Sequence, residues 1–189
     1  MKNILLNISI AFLLSCGFSA QGQDDNYLLM VIDVQEFENV KEEIPTEVYQ
    51  DFLKEVNGVI ESFEKEKVIY IRDLSLVLSL SFKGKSIDTV SFPNFEPDLK
   101  IVNEHVFIKT EGDSFTADGL EEYLLKFPDH KIVVIGLIAD GCIFITLKSG
   151  VKHDYDMYMI PEAILARSEI SKEKYFRKYK KMGVKIYKK

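Results

Sequence analysis

The run "YLLMVID" (27–33) is apolar until its last residue, an acid. A strand with one face in water alternates apolar and polar residues. An unbroken apolar run means that both faces are covered, as in the middle of a parallel sheet. "VIYIRD" (68–73) ends in an acid in the same way. Between the two, "PTEVYQDFLKEVNGVIESFEKEK" (45–67) places Val48, Phe52, Val56, Val59, Ile60 and Phe63 at helical spacing, with Pro45 at the start. The alternation then continues. Strands are expected at "HVFIK" (105–109), "KIVVIG" (131–136), "DMYMIPEA" (156–163) and "VKIY" (184–187). Helices are expected at "ADGLEEYLLKF" (117–127, stopped by Pro128), "CIFITLKSGVKH" (142–153) and "SKEKYFRKYKKMG" (171–183). Strands alternating with helices predict a three-layer, doubly wound α/β fold with a mainly parallel sheet of about six strands. The 189 residues suffice for one such domain, expected over 26–189, and show no internal repeat.

One segment departs from this pattern. "LSLVLSLSFKGKSIDTVSF" (74–92) alternates leucine with serine, reaches Gly84, and continues as a second β-rich run. It predicts a β-hairpin inserted after the second strand, covering the site or a partner surface. "FKGKS" within it is not a phosphate loop, because the glycine required five residues before Gly84 is Ser79.

The first residues read as a targeting segment (1–22). Lys2 precedes an apolar stretch, Ile4 to Leu14, too short to span a bilayer as a helix. Two exits are open. "LLSC" (Leu13–Cys16) is similar to a lipoprotein cleavage box, which leaves Cys16 lipidated, whereas "SAQGQ" (Ser19–Gln23) offers small residues to an ordinary signal peptidase. Both imply export, to the periplasm or to a lipid anchor at the bacterial envelope, and that anchor is the one membrane contact expected. Of the two cysteines, Cys142 is then the single thiol of the mature domain. This excludes a disulfide framework and, with no C-x-x-C, a dithiol redox protein. The net charge of −6 argues against nucleic acid as a partner, and the basic stretch near the C-terminus reads as a solvated helix face and edge strand.

In doubly wound sheets ligands gather at the carboxyl ends of the strands. Asp33 closes the first strand, Lys109 closes the third, and Cys142 follows the fourth across "GLIADG". Each has an ordinary alternative: an acid capping a turn, a solvated lysine, a small buried thiol. Together they compose a nucleophilic site. The first turn of the helix opened by Cys142 and the ammonium of Lys109 would favour a thiolate. Asp33 would accept the thiol proton and return it to a leaving amine, and backbone N–H groups of the small-residue turn would bind an oxyanion.

"LLMVIDVQEF", "VFIKTEGDSF" and "IVVIGLIADGCIFITLKSGVKHDYDMYMIPEAI" resemble, in order, the isochorismatase-like cysteine hydrolases. That family includes nicotinamidases and N-carbamoylsarcosine amidohydrolase. The resemblance runs from about Tyr27 to the C-terminus and is weakest between 74 and 100. It implies a 3-2-1-4-5-6 sheet and a catalytic triad of Asp33, Lys109 and Cys142. It implies an oxyanion hole from the N–H groups of Ile138 and Cys142, behind a non-proline cis peptide at Leu137–Ile138. It also implies pocket aromatics at Phe115 and Phe37. With a cysteine present, the implied reaction is hydrolysis of a small amide or related C–N bond through a thioester. A non-catalytic member that binds a ligand or partner is the alternative, motivated by the altered 74–100 segment and the export signal.

Nicotinamidases hold a metal through an aspartate at the end of the second strand and nearby histidines. Asp73 matches the aspartate, but "DLSLVLSLSF" carries no histidine, and His105, His130 and His153 lie elsewhere at no zinc-like spacing. No metal and no cofactor are expected. The expected partner is a small-molecule substrate, with homo-oligomers common in the resembling family.

Overall fold

The computed structural model describes residues 26–81, 84–91 and 93–188. The expected targeting segment and its two exits lie outside the described residues. Six strands form one sheet: β1 (Tyr27–Ile32), β2 (Val68–Asp73), β5 (Val106–Lys109), β6 (Lys131–Gly136), β7 (Met157–Ile164) and β8 (Lys185–Ile186). Their order is β5-β2-β1-β6-β7-β8 and every pairing is parallel. This is the expected 3-2-1-4-5-6 arrangement, doubly wound from the junction between β1 and β6.

The continuous apolar run of β1 works as its composition requires. Leu29 and Val31 enter a core on one side of the sheet, with Phe52, Leu53, Val56, Val59 and Ile60 of α2 (Thr46–Ile60). Leu28, Met30 and Ile32 enter a second core on the other side, with Leu120 and Leu124 of α3 (Leu120–Leu124), Ile143 and Leu147 of α4 (Cys142–Lys152), and Tyr179 of α5 (Glu169–Lys181). The period of two along a strand sends successive side chains to opposite faces, so only a strand roofed by helices on both sides tolerates such a run.

Several boundaries differ from the sequence reading. The first long helix ends at Ile60 rather than Lys67. The chain tightens there, with Phe63 N–H donating to Ile60 O, and the Phe63 ring turns toward Tyr187, 5.5 Å between centroids. The helix expected over 117–127 shrinks to α3, because Gly119 sits left-handed (φ 76°) before it and a 3₁₀ turn occupies Ser114–Thr116. A short helix, α1 (Glu38–Glu43), was not expected. The last helix starts earlier, at Glu169, capped by the Ser168 hydroxyl, which accepts from Ser171 N–H.

The inserted hairpin is present as β3 (Ser75–Ser81) and β4 (Gly84–Ser91), an antiparallel pair separate from the main sheet. Its root is fastened beside the strand ends. Leu74 N–H donates to Lys109 O at 2.9 Å, and on return Glu36 N–H donates to Asn94 O and Glu96 N–H to Val34 O. Among the described residues no helix is long and apolar enough to cross a membrane.

Candidate active site

Three strand ends and one helix start converge. Asp33, the residue after β1, leaves the strand in the left-handed region (φ 55°), with its N–H donating to Ile71 O at 3.0 Å. Aspartate is among the few residues that adopt this conformation readily. The break ends the strand and sets Asp33 beside the neighbouring strand ends. On the other flank Gly136 ends β6 opposite Ile32 at φ 122°, where a Cβ would lie 2.1 Å from the Ile32 carbonyl oxygen. Only glycine fits, and the turn "LIADG" therefore leaves β6 hard against β1.

Lys109, at the end of β5, is fully buried, yet its Nζ meets three partners: Asp33 Oδ2 at 3.0 Å, Cys142 Sγ at 3.3 Å and Asp73 Oδ1 at 3.4 Å. An ammonium has three N–H donors, so the interior charge is fully engaged. Asp33 is 3% exposed, and its second oxygen, Oδ1, has no hydrogen-bond partner. Asp73 is held by Gln35, itself buried, whose Oε1 accepts from Asp73 N–H (2.7 Å) and whose Nε2 donates to Asp73 O (3.3 Å) and Pro93 O (2.7 Å). The loop after Lys109 is tied to α4, where Ser114 N–H and hydroxyl both reach Thr146 Oγ1 at 3.0 and 2.8 Å. Thr146 lies one helical turn beyond Cys142, so this bond fixes the lysine strand against the cysteine helix.

Burial acts first on the protonation states, and the ammonium shared by two carboxylates opposes it. Burial raises the Asp33 carboxyl to about 6 despite the opposing pull of Lys109. Burial, reinforced by the Asp33 charge, pushes the Cys142 thiol up to about 12, although Lys109 favours the anion. For Lys109 itself burial acts downward, but Asp33, Cys142 and Asp73 outweigh it and the net direction is up. The resting site therefore holds a thiol rather than the thiolate expected from the helix terminus and the lysine. The sequence reading weighed the helix terminus and Lys109 in favour of the anion and left out the burial of the thiol, which outweighs the pull of Lys109.

The turn after β6 contains the expected cis peptide at Leu137–Ile138. Leu137 N–H donates to Ile32 O and Gly141 N–H to Ile138 O, while the N–H groups of Ile138 and Cys142 have no backbone acceptor among the described residues. Phe37 is half-buried against the α2-side core. Phe115 is half-buried against the other core and stacks on Tyr155, with centroids 5.1 Å apart and planes at 14°.

Among the described residues, the group with donor atoms close enough to hold a metal is Asp33, Asp73 and Cys142, all within 4.8 Å of one another. The ammonium of Lys109 already contacts all three. A histidine–aspartate metal centre of the kind expected in nicotinamidases does not fit these residues. His105 pairs with the Tyr123 hydroxyl at 3.0 Å, the His130 ring packs on Phe127, and the His153 ring lies 6.3 Å from Phe115. Asp73 was read from the sequence only as an unfulfilled metal position, whereas the fold turns it into a partner of Lys109. Its placement at a strand end after an apolar run was the available signal. For Gln35 the sequence carried no comparable signal.

The isochorismatase domain family matches residues 27–188. Among solved structures, the pyrazinamidase of Pyrococcus horikoshii in complex with zinc is 17% identical, with a TM-score of 0.63 over 87% of this chain and 99% of that one. The nicotinamidase of Staphylococcus aureus is 16% identical, with a TM-score of 0.64 over 87% and 98%. An isochorismatase-like hydrolase from Alkaliphilus metalliredigens is 14% identical, with a TM-score of 0.67 over 85% and 93%. No curated protein matches by sequence.

Proposed function

Because the chain belongs to the isochorismatase domain family, we propose that it is a cysteine hydrolase cleaving a small amide or related C–N bond through a thioester. The observation that carries this reading is one buried ammonium, Lys109 Nζ, in simultaneous contact with the thiol of Cys142 and the carboxylate of Asp33. As Cys142 Sγ bonds to the substrate carbonyl carbon, its proton passes to Asp33. A carboxyl at about 6 is largely ionised at neutral pH yet basic enough to take that proton. The growing charge on the carbonyl oxygen is received by the N–H groups of Ile138 and Cys142. Collapse breaks the C–N bond, Asp33 protonates the departing amine, and the acyl group remains on sulfur. Water then gives a proton to Asp33 and its oxygen to the acyl carbon, the C–S bond breaks, and the thiol recovers the proton. Lys109 keeps its charge throughout and offsets the negative charge as it moves from carboxylate to sulfur. Phe37 and Phe115 are assigned to the pocket walls. In this reading the protein acts after export, with a mature N-terminus at Cys16 or near Gln23, which mass spectrometry of the processed chain distinguishes.

The test is a panel of small primary amides and N-carbamoyl compounds, scored for ammonia release and, by mass, for an acyl adduct on Cys142. Release that disappears in Cys142→Ala supports the proposal. Release that persists in Cys142→Ala, or a panel on which no compound releases ammonia or acylates Cys142, refutes it. The second reading, a ligand-binding member without turnover, draws on the thiol held up at about 12. Adduct formation with no ammonia released across the panel favours it.

A further inference from the structure

We propose that Tyr179 and Arg167 are positioning residues that hold the oxyanion turn from outside, a role that rests on the cysteine-hydrolase reading. Ile138 and Cys142, the proposed oxyanion donors, are separated by Ala139, Asp140 and Gly141. The first two of these are gripped by side chains from α5 and from the segment just before it. The hydroxyl of Tyr179, on α5 and fully buried, donates to Ala139 O. Asp140 Oδ1 accepts from Arg167 Nη1 at 2.8 Å, and Asp140 Oδ2 accepts from the Ser171 hydroxyl at 3.4 Å. Arg167 also reaches α1, its Nε donating to Glu43 Oε2 at 3.0 Å. On the other side of the same residue, Ala139 N–H donates to Leu165 O at 2.8 Å.

The arrangement matters because an oxyanion hole acts through fixed geometry: donors must already point where the charge will develop. Burial, helped by the charge of Asp140 and by Tyr175, raises the Tyr179 phenol, so it remains a donor over the working pH range. Its ring lies near-parallel to Phe144 at 6.4 Å, two residues beyond Cys142, so the same side chain braces both the turn and the helix that follows it. Removing the hydroxyl leaves the Ala139 carbonyl without its buried partner and frees the peptide between the two donors. Cys142, Asp33 and Lys109 keep all their mutual contacts.

That separation defines the experiment. Iodoacetamide alkylation requires the thiol and its ionisation but no oxyanion hole. A small aldehyde such as propionaldehyde bonds Cys142 Sγ to its carbonyl carbon, the thiol proton passes to Asp33, and the resulting alkoxide occupies the hole. In Tyr179→Phe the expected result is alkylation within about twofold of the parent and aldehyde affinity lowered about tenfold. With any amide that is turned over, kcat falls and KM is retained. Arg167→Gln, at a half-exposed position, removes the outer grip without touching the core and is expected to lower aldehyde affinity severalfold. A Tyr179→Phe chain with parent aldehyde affinity overturns the proposal. So does one in which alkylation and aldehyde binding fall in parallel, which would mark a purely structural tyrosine. A parent chain that is alkylated but captures no aldehyde refutes the hydrolase reading itself.

Discussion

Replacing Asp33 by asparagine separates the ionisation of Cys142 from its use. The Asp33 carboxylate, the Asp73 carboxylate and Cys142 Sγ offer atoms within 4.8 Å of one another. At the outer limit of that spacing two unit negative charges repel by about 3.5 kcal/mol at an effective dielectric constant of about 20. This corresponds to about 2.5 pKa units. The thiol, held up at about 12 with the carboxylate present, is therefore expected to titrate near 9 to 10 in Asp33→Asn, where Lys109 faces a thiolate with Asp73 as a competing anion. The assay is the rate of iodoacetamide alkylation against pH, paired with ultraviolet absorbance of the thiolate after rapid pH jumps, with the denatured chain as the reference for an unperturbed thiol. Amide hydrolysis moves the opposite way and is lost, because asparagine cannot accept the thiol proton. A variant that alkylates faster at neutral pH and turns over nothing fits the charge balance of the site. A thiol midpoint in Asp33→Asn that stays in place or moves upward refutes it, and Asp33 would then not be the group holding the proton on sulfur.

Lys109→Met removes the one cation from beside two carboxylates, and unfolding is expected to cost about 3–5 kcal/mol less than in the parent at neutral pH. Part of that loss returns in acid, where the unpaired Asp33 carboxyl takes up a proton, so denaturant melts at two pH values check it. Asp33 also leaves a signature in parent stability. Its folded pKa is raised from 3.8 to about 6, so the folded state binds the proton more tightly and stability falls as pH rises through that window. The matching term is absent in Asp33→Asn, and a pH series of unfolding midpoints compares the two slopes. Gly136→Ala places a methyl against the Ile32 carbonyl at a left-handed φ. A loss above about 3 kcal/mol, read by thermal melting, is expected.

Much of this protein could be read in one dimension. Runs such as 27–33 and 131–136 are too continuously apolar for anything but strands covered on both faces, and helical periods between them leave little choice but a doubly wound parallel sheet. That topology in turn brings strand ends together, which is why Asp33, Lys109 and Cys142, scattered over more than a hundred residues, could be nominated before any contact was known. Helix lengths were less legible. The 45–67 and 117–127 patterns stay periodic past the point where Phe63 and Gly119 turn the chain, and periodicity does not reveal where packing makes it turn.

The electrical state of the site belongs to the tertiary structure. Side-chain type says that Asp33 is acidic and Cys142 nucleophilic, but a pKa is set by burial and by every charge within a few ångströms. Asp73, at the end of β2 where the hairpin departs, gains its meaning only when Gln35 clamps its backbone and Lys109 meets its carboxylate. Tyr179 and Arg167, far along the chain in and beside an ordinary basic helix, come to grip Ala139 and Asp140 only because α5 packs behind the turn. Hydrophobic pattern is a local property and survives in the sequence. Electrostatic coupling depends on distances between remote residues, and folding alone sets those.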